Sequence, residues 1–298
     1  MTGEQIDHDY TIFTFFLIIL VAILTIFYSL TIDLFSLIDS ASDSFQSSSL
    51  LILLWRISCL SVGISAVVYM IKCGPGNMRV ISIRTGDEII EYPTGLTKFV
   101  TFSSWTLLAN VSYFLLAVVN QILLGLGYDA LGVIAQVQVV IFCVGIAMAF
   151  LTATIVRHII LPDEIKIGRN HDHMFLFHEQ IMHNFSAVFL ALELVLLQPI
   201  LEPQFAIICL IMGLIYVTFA YLFAYFGGGY IVYSFLHPKP KIAPILVFVL
   251  AGLISLSYTG LWYVSTLNRM ITIPIIAVWV SMIVQFRPAH SERAKETI

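Results

Sequence analysis

The chain has 298 residues, 59% of them hydrophobic and only 11% charged, with a net charge of −4 and a mean hydropathy of +0.97. Soluble domains carry about 25% charged residues, so this composition excludes a soluble globular protein and specifies an all-α, polytopic transmembrane bundle. No basic run or acidic tail points to nucleic acid, which leaves the bilayer and lipid-like molecules as the expected partners.

The N-terminal MTGEQIDHDY is acidic, and the apolar run behind it is too long for a secretory signal, so it reads as a retained first span. A hydrocarbon core about 30 Å thick takes about 20 helical residues. Eight stretches are candidates: 12–36, 49–72, 99–124, 131–155, 180–200, 205–226, 243–264 and 271–287, the last short and interrupted by Pro274. The loops on one side are 73–98, 156–179 and 227–242. With a cytoplasmic N-terminus, twelve of the fourteen Lys and Arg residues fall on that side; Arg269 lies opposite and Arg56 lies within span two. The positive-inside rule therefore gives cytoplasmic N- and C-termini, in an endomembrane or plasma membrane that the sequence does not distinguish.

Cys59, Cys143 and Cys209 lie inside apolar runs and Cys73 at the end of one, with no CxxC spacing to suggest zinc or a disulfide framework. Asn110-Val-Ser112 and Asn184-Phe-Ser186 match a glycosylation pattern but fall at membrane depth, where no glycan is expected. No internal repeat or inverted pair of broken helices marks a transporter.

Ionisable residues within spans are costly and are functional or paired by default. Setting aside Asp33 at the outer end of span one, they are Arg56, His183 and Glu193. Arg56 and Glu193 each lie about seven residues from an outer span end, about 10 Å deep at 1.5 Å per residue. They are expected to form a buried ion pair. The histidine-rich stretch HDHMFLFHEQIMHNF (171–185) places His171, His173 and His178, like His158, in aqueous loop or at the interface, while His183 enters span five. His178 and His183 are spaced i, i+5 rather than the i, i+4 that aligns two imidazoles, so no metal site or cofactor is expected.

Thr101 in KFVTF (98–102) opens span three about 5 Å deep, level with His183. A hydroxyl is a weak nucleophile until a base takes its proton, and neutral imidazole suits that role near pH 7. A Thr bonded to its own helix and a His bridging two helices fit the same pattern. Gly227, Gly228 and Gly229 end span six on the same side, as oxyanion donors or as a helix cap and hinge. Trp105, one turn beyond Thr101, is suited to wall an acyl pocket or to anchor at the interface.

The run KFVTFSSWTLLANVSYFLLAVV (98–119), then RHIILP (157–162), IMHNFSAVFLALEL (181–194) and GLIYVTFAYLFAYFGGGYIVYSFL (213–236) resembles, in order and spacing, the androgen-induced family of multi-spanning fatty-acid-ester hydrolases. It is also similar to the related Rolling stone family, to which FSSWTLL, HNFSAVFLALEL and FGGGYIVYSFL are closer in style. The resemblance covers spans two to seven, a six-span core with one span added at each end. It implies a catalytic Thr at Thr101 and a catalytic His at His183, acting on esters between fatty acids and hydroxy fatty acids. A register set through Trp105 puts Ser103 in the hydroxyl position instead. Rolling stone likeness implies the alternative, a non-catalytic membrane protein in cell fusion, adhesion or complex assembly.

Overall fold

A computed structural model describes residues 9–128 and 132–286. The expected start of span four at residue 131, the end of span eight at 287, and Arg287, Arg293 and Lys295 lie outside the described residues. Within them the protein is an all-α polytopic bundle. Seven helical rods are long and apolar enough to cross a bilayer. They are α1 (Thr11–Thr31), α3 (Leu50–Lys72), α4 (Phe102–Gly125), the rod Gly132–Lys166, the rod Phe177–Leu197, the rod Pro203–Phe226 and α10 (Ala243–Ser265). The first of the unlabelled rods joins α5 (Gly132–Ile155) through a π-helical turn (Val156–Ile160) to α6 (Leu161–Lys166). The second joins α7 (Phe177–Gln180) through another π-helical turn (Ile181–Phe185) to α8 (Ser186–Leu197), and the third is mostly α9 (Ala206–Phe226).

Three expectations are corrected. The first span ends at Thr31, because Asp33 accepts the Ser36 N–H at 3.2 Å and starts a separate helix, α2 (Leu34–Ser42). The rod of span five runs Phe177–Leu197, three residues earlier than expected, and stops where Gln198 turns left-handed (φ 50°) before Pro199. The eighth apolar helix, α11 (Arg269–Ile283), has only 15 residues, about 22 Å of helix against a 30 Å core.

The core forms around α5, in which every residue from Phe142 to Ala153 is buried. Gly145, Ala147, Ala149 and Ala153 let neighbouring backbones come close, as packing between helices in lipid requires. In contrast, α1 buries only Thr14, Ile18 and Thr25 and lies at the periphery.

The loops at one end of the bundle are more ordered than their sequence suggests. Segment 78–91 forms an antiparallel hairpin, β1 (Met78–Ser82) with β2 (Glu88–Glu91), and β1 pairs on its other edge with β3 (Tyr230–Ile231). Both ends of the described chain reach this same end of the bundle. Tyr10 N–H donates to Lys239 O at 3.1 Å, and Gln285 pairs with Asn184.

Candidate active site

Lys98 ties the start of α4 to the end of α3. Its buried ammonium donates to the carbonyls of Met70, Cys73 and Gly74 at 2.8, 2.6 and 2.6 Å, a cation where a helix C-terminus presents its negative pole. That anchor sets Thr101 in extended conformation as the N-cap of α4. Its Oγ1 accepts from Ser104 N–H at 3.1 Å and from Ser103 Oγ at 3.2 Å. A hydroxyl has two lone pairs and one proton, so both lone pairs are engaged while the proton stays available. The donors of the helix N-terminus favour negative charge on that oxygen.

His183 sits in the π-helical turn Ile181–Phe185, whose wider register is supported by Ser186 Oγ donating five residues back to Ile181 O at 2.9 Å. The His183 ring is buried, its Nε2 is 3.4 Å from Glu179 Oε2, and its Nδ1 has no hydrogen-bond partner. His178 repeats the arrangement, with Nε2 3.3 Å from Glu179 Oε1 and Nδ1 unpartnered. Opposite lies the turn Val156–Ile160, whose sequence cause is Pro162: a ring without an N–H cannot continue an ordinary helical ladder. The two π turns grip the end of α11. Arg157 donates to Ser281 O at 2.6 Å and Val284 O at 2.5 Å, His158 Nε2 is 3.0 Å from Met282 O, and Asn184 exchanges two hydrogen bonds with Gln285.

Between these elements lies a cavity of about 1340 Å³ whose walls include Thr101, Ser103, His173, Glu179, His183 and Tyr233. On its rim Arg79 pairs with Glu88, Asp163 and Glu164, and Arg169 with Glu164, so each of these charges has an opposite partner. The Tyr233 hydroxyl accepts from Phe102 N–H at 3.1 Å, and burial pushes its phenol up to about 12, keeping it protonated. Tyr233, Phe235, Val156 and Ile160 also wall a smaller slot of about 90 Å³ that runs into the bundle between α5, α9 and α10. Its other surfaces are nearly all apolar. Its hydroxyls are spent internally, Thr152 on Thr106 at 3.0 Å and Tyr216 on Val100 O at 3.1 Å.

Thr101, Ser103 and His183 therefore line one cavity, but no hydrogen bond joins Thr101 to His183: the first caps a helix and the second faces Glu179. Trp105 does not wall the cavity. Its indole donates to Phe99 O at 3.0 Å and its ring packs on Tyr216 and Phe219. Gly227 and Gly228 give their N–H groups to Phe223 O, both at 2.8 Å, and Gly229 takes a left-handed φ of 76°, so the three glycines terminate α9 and offer no oxyanion donor to the cavity. His171 and His178 are buried rather than solvated, because the 171–185 segment folds back against the bundle. Arg56 and Glu193 are paired at 2.7 Å, with side chains 1% and 0% exposed.

Glu179, Tyr233, Arg157 and the paired π turns escaped the sequence reading. The dipeptide His178-Glu179 is visible in sequence, but nothing local says which groups it faces. Among the described residues no group of three His, Cys, Asp or Glu side chains is arranged to hold a metal, and the four cysteines are free. Fold and cavity together define a multi-pass integral membrane protein with a polar chamber at one end of its bundle. Comparison with protein-family models, with curated proteins and with solved structures finds no match.

Proposed function

We propose that the protein is a membrane lipid esterase acting on fatty-acid esters such as those of hydroxy fatty acids, with Thr101 as nucleophile and His183 as base. The observation that carries the reading is that both residues wall one polar chamber, which shares a wall with an apolar slot suited to an alkyl chain. Thr101 Oγ1 attacks the ester carbonyl carbon while His183 takes its proton and passes it to the departing alcohol oxygen. Water, deprotonated by the same imidazole, then releases the fatty acid from the threonine ester. The Tyr233 hydroxyl, beside the N-terminus of α4, takes the oxyanion role expected of the glycines. Thr101 and His183 come into contact once the substrate fills the chamber, a tightening common among catalytic hydrogen bonds.

The resemblance to the androgen-induced hydrolases supports this assignment of Thr101 and His183. The basic asymmetry supports a cytoplasmic chamber with both termini on that side. Labelling with a fluorophosphonate probe tests the chemistry: wild type should react at Thr101, and Thr101→Ala should not. An unlabelled, inactive wild type would leave the second reading, a non-catalytic Rolling stone-like protein of fusion, adhesion or assembly. The engagement of the Thr101 oxygen as a helix cap favours that alternative.

A further inference from the structure

Resting on the esterase reading, we propose that Glu179 is the positioning residue for His183: it holds the ring through Nε2 and so leaves Nδ1 as the atom that takes the nucleophile's proton. Three carboxylates at the chamber rim are spent on arginine, Glu88, Asp163 and Glu164 on Arg79 and Glu164 also on Arg169. Glu179 differs. It lies in a membrane-spanning rod, and among the described residues its ion-pair partners are two imidazoles, His178 at 3.3 Å and His183 at 3.4 Å. A carboxylate in the first turn of such a rod, facing imidazoles rather than Lys or Arg, is best held when those rings carry protons toward it.

The tautomer follows from that requirement. A neutral imidazole has one N–H and one lone pair, and a carboxylate facing Nε2 favours the proton on Nε2. The lone pair then falls on Nδ1, which in both His178 and His183 is buried and unpartnered. When His183 accepts a proton, its new charge forms beside Glu179, as the acid member of a Ser-His-Asp set stabilises its imidazolium. The π-helical turn matters here, since it begins between Glu179 and His183 and sets how the two side chains meet. His178, packed at a tilt against Tyr69 with 5.6 Å between ring centres, shares the carboxylate and limits how far it can move toward His183.

Other titratable groups on the same chamber are His173 on the preceding turn, Tyr233 after β3, Lys98 held by the α3 carbonyls, Cys73 at the end of α3, His158 on the opposite π turn, and the rim charges Arg79, Asp87, Glu88, Asp163, Glu164, Lys166 and Arg169. None of them makes an ion pair with Glu179.

The test compares full-length wild type, Glu179→Gln and Glu179→Asp in nanodiscs, with hydrolysis of a p-nitrophenyl acyl ester followed between about pH 5 and 9. Glu179→Gln should lower kcat by roughly 10²-fold, leave KM within about twofold of wild type, and move the acid limb of the profile to lower pH. Glu179→Asp, which keeps the charge, should return the limb toward its wild-type position. A purely structural role would lower kcat evenly at all pH values with the limb in place, and that result overturns the proposal. A second arm needs no turnover: modification of His183 by diethyl pyrocarbonate, read by peptide mass spectrometry, should extend to lower pH in Glu179→Gln than in wild type. If wild type hydrolyses no ester, the esterase reading fails by itself. An unchanged modification profile sinks the Glu179 assignment whether or not the protein is an esterase.

Discussion

The rod Phe177–Leu197 carries two polar clusters, and they are built on opposite principles. Near one end Glu193 accepts from Arg56 Nε at 2.7 Å, from Tyr113 OH at 3.0 Å and from Trp55 Nε1 at 3.0 Å. Arg56 donates further to Gln121 Oε1 and Phe45 O, both at 3.0 Å. Near the other end Glu179 is shared by two histidines whose Nδ1 atoms are buried without partners, and all three residues contribute to the wall of a chamber. A buried polar network that is fully satisfied rigidifies a fold, whereas one that leaves buried atoms unpaired calls for an explanation, and chemistry is among those available. One rod thus holds a structural anchor at Glu193 and a candidate site at Glu179, fourteen residues or about 21 Å apart at 1.5 Å each.

Removing either proposed reactive group tests the chamber end most severely. Thr101→Ala and His183→Ala should each reduce ester hydrolysis by at least about 10³-fold, and the double variant should be little worse, because nucleophile and base act as one unit. Loss of the N-cap in Thr101→Ala adds about 1 kcal/mol of destabilisation. Thr101→Ser, which restores hydroxyl and cap, should recover both activity and melting temperature. At the anchor end, Glu193→Leu should cost about 3–5 kcal/mol, since it leaves Arg56 charged and unpaired in the bundle. Unfolding in mixed micelles measures this, and Arg56→Leu with Glu193→Leu should recover much of the loss. If the double variant is as unstable as both singles combined, the anchor is not a coupled pair.

The slot gives a smaller, selective effect. A Cβ at Gly213 would meet Ile254 at an ordinary 3.6 Å, so Gly213→Ala should be tolerated while Gly213→Leu fills the slot. The leucine variant should lose roughly tenfold in kcat/KM on long-chain esters, about 1.4 kcal/mol of binding, and keep its rate on acetyl esters. Equal losses on both would detach the slot from the chamber.

The weakest expected effect concerns pH. Burial holds His173 and His237 below the ordinary histidine range, and Lys239 adds repulsion at His237. Because the native state resists protonation more than the unfolded chain does, stability is intact above the unfolded value of about 6.5 and is lost as pH falls through it toward the lower native values. Melting temperature should therefore drop between about pH 7 and 5.5. His237→Gln should flatten part of that slope. A melting temperature independent of pH in this window would show that neither ring is held neutral by burial.

Much of the architecture was already legible along the chain. Hydropathy is a property of consecutive residues and a bilayer sets the length it must fill, so the composition specifies the polytopic bundle and the apolar runs locate its rods. Counting helical rise brought Arg56 and Glu193 to one depth, and their side chains meet there. Other features depend on partners distant in sequence. The hairpin Met78–Glu91 gains a third strand only from Tyr230–Ile231. The π turn that carries His183 also holds Asn184, bonded to Gln285 a hundred and one positions away. Trp105 is turned from the chamber by the Phe99 carbonyl and the aromatic face of α9, and Glu179 acquires its setting only when the 171–185 segment folds back on the bundle. Sequence by itself determined which runs become the apolar rods of a polytopic bundle, because that follows from local apolarity and the length a bilayer demands. Tertiary structure alone decided which polar atoms are satisfied and which face a cavity, because those depend on the direction each side chain takes once distant helices pack.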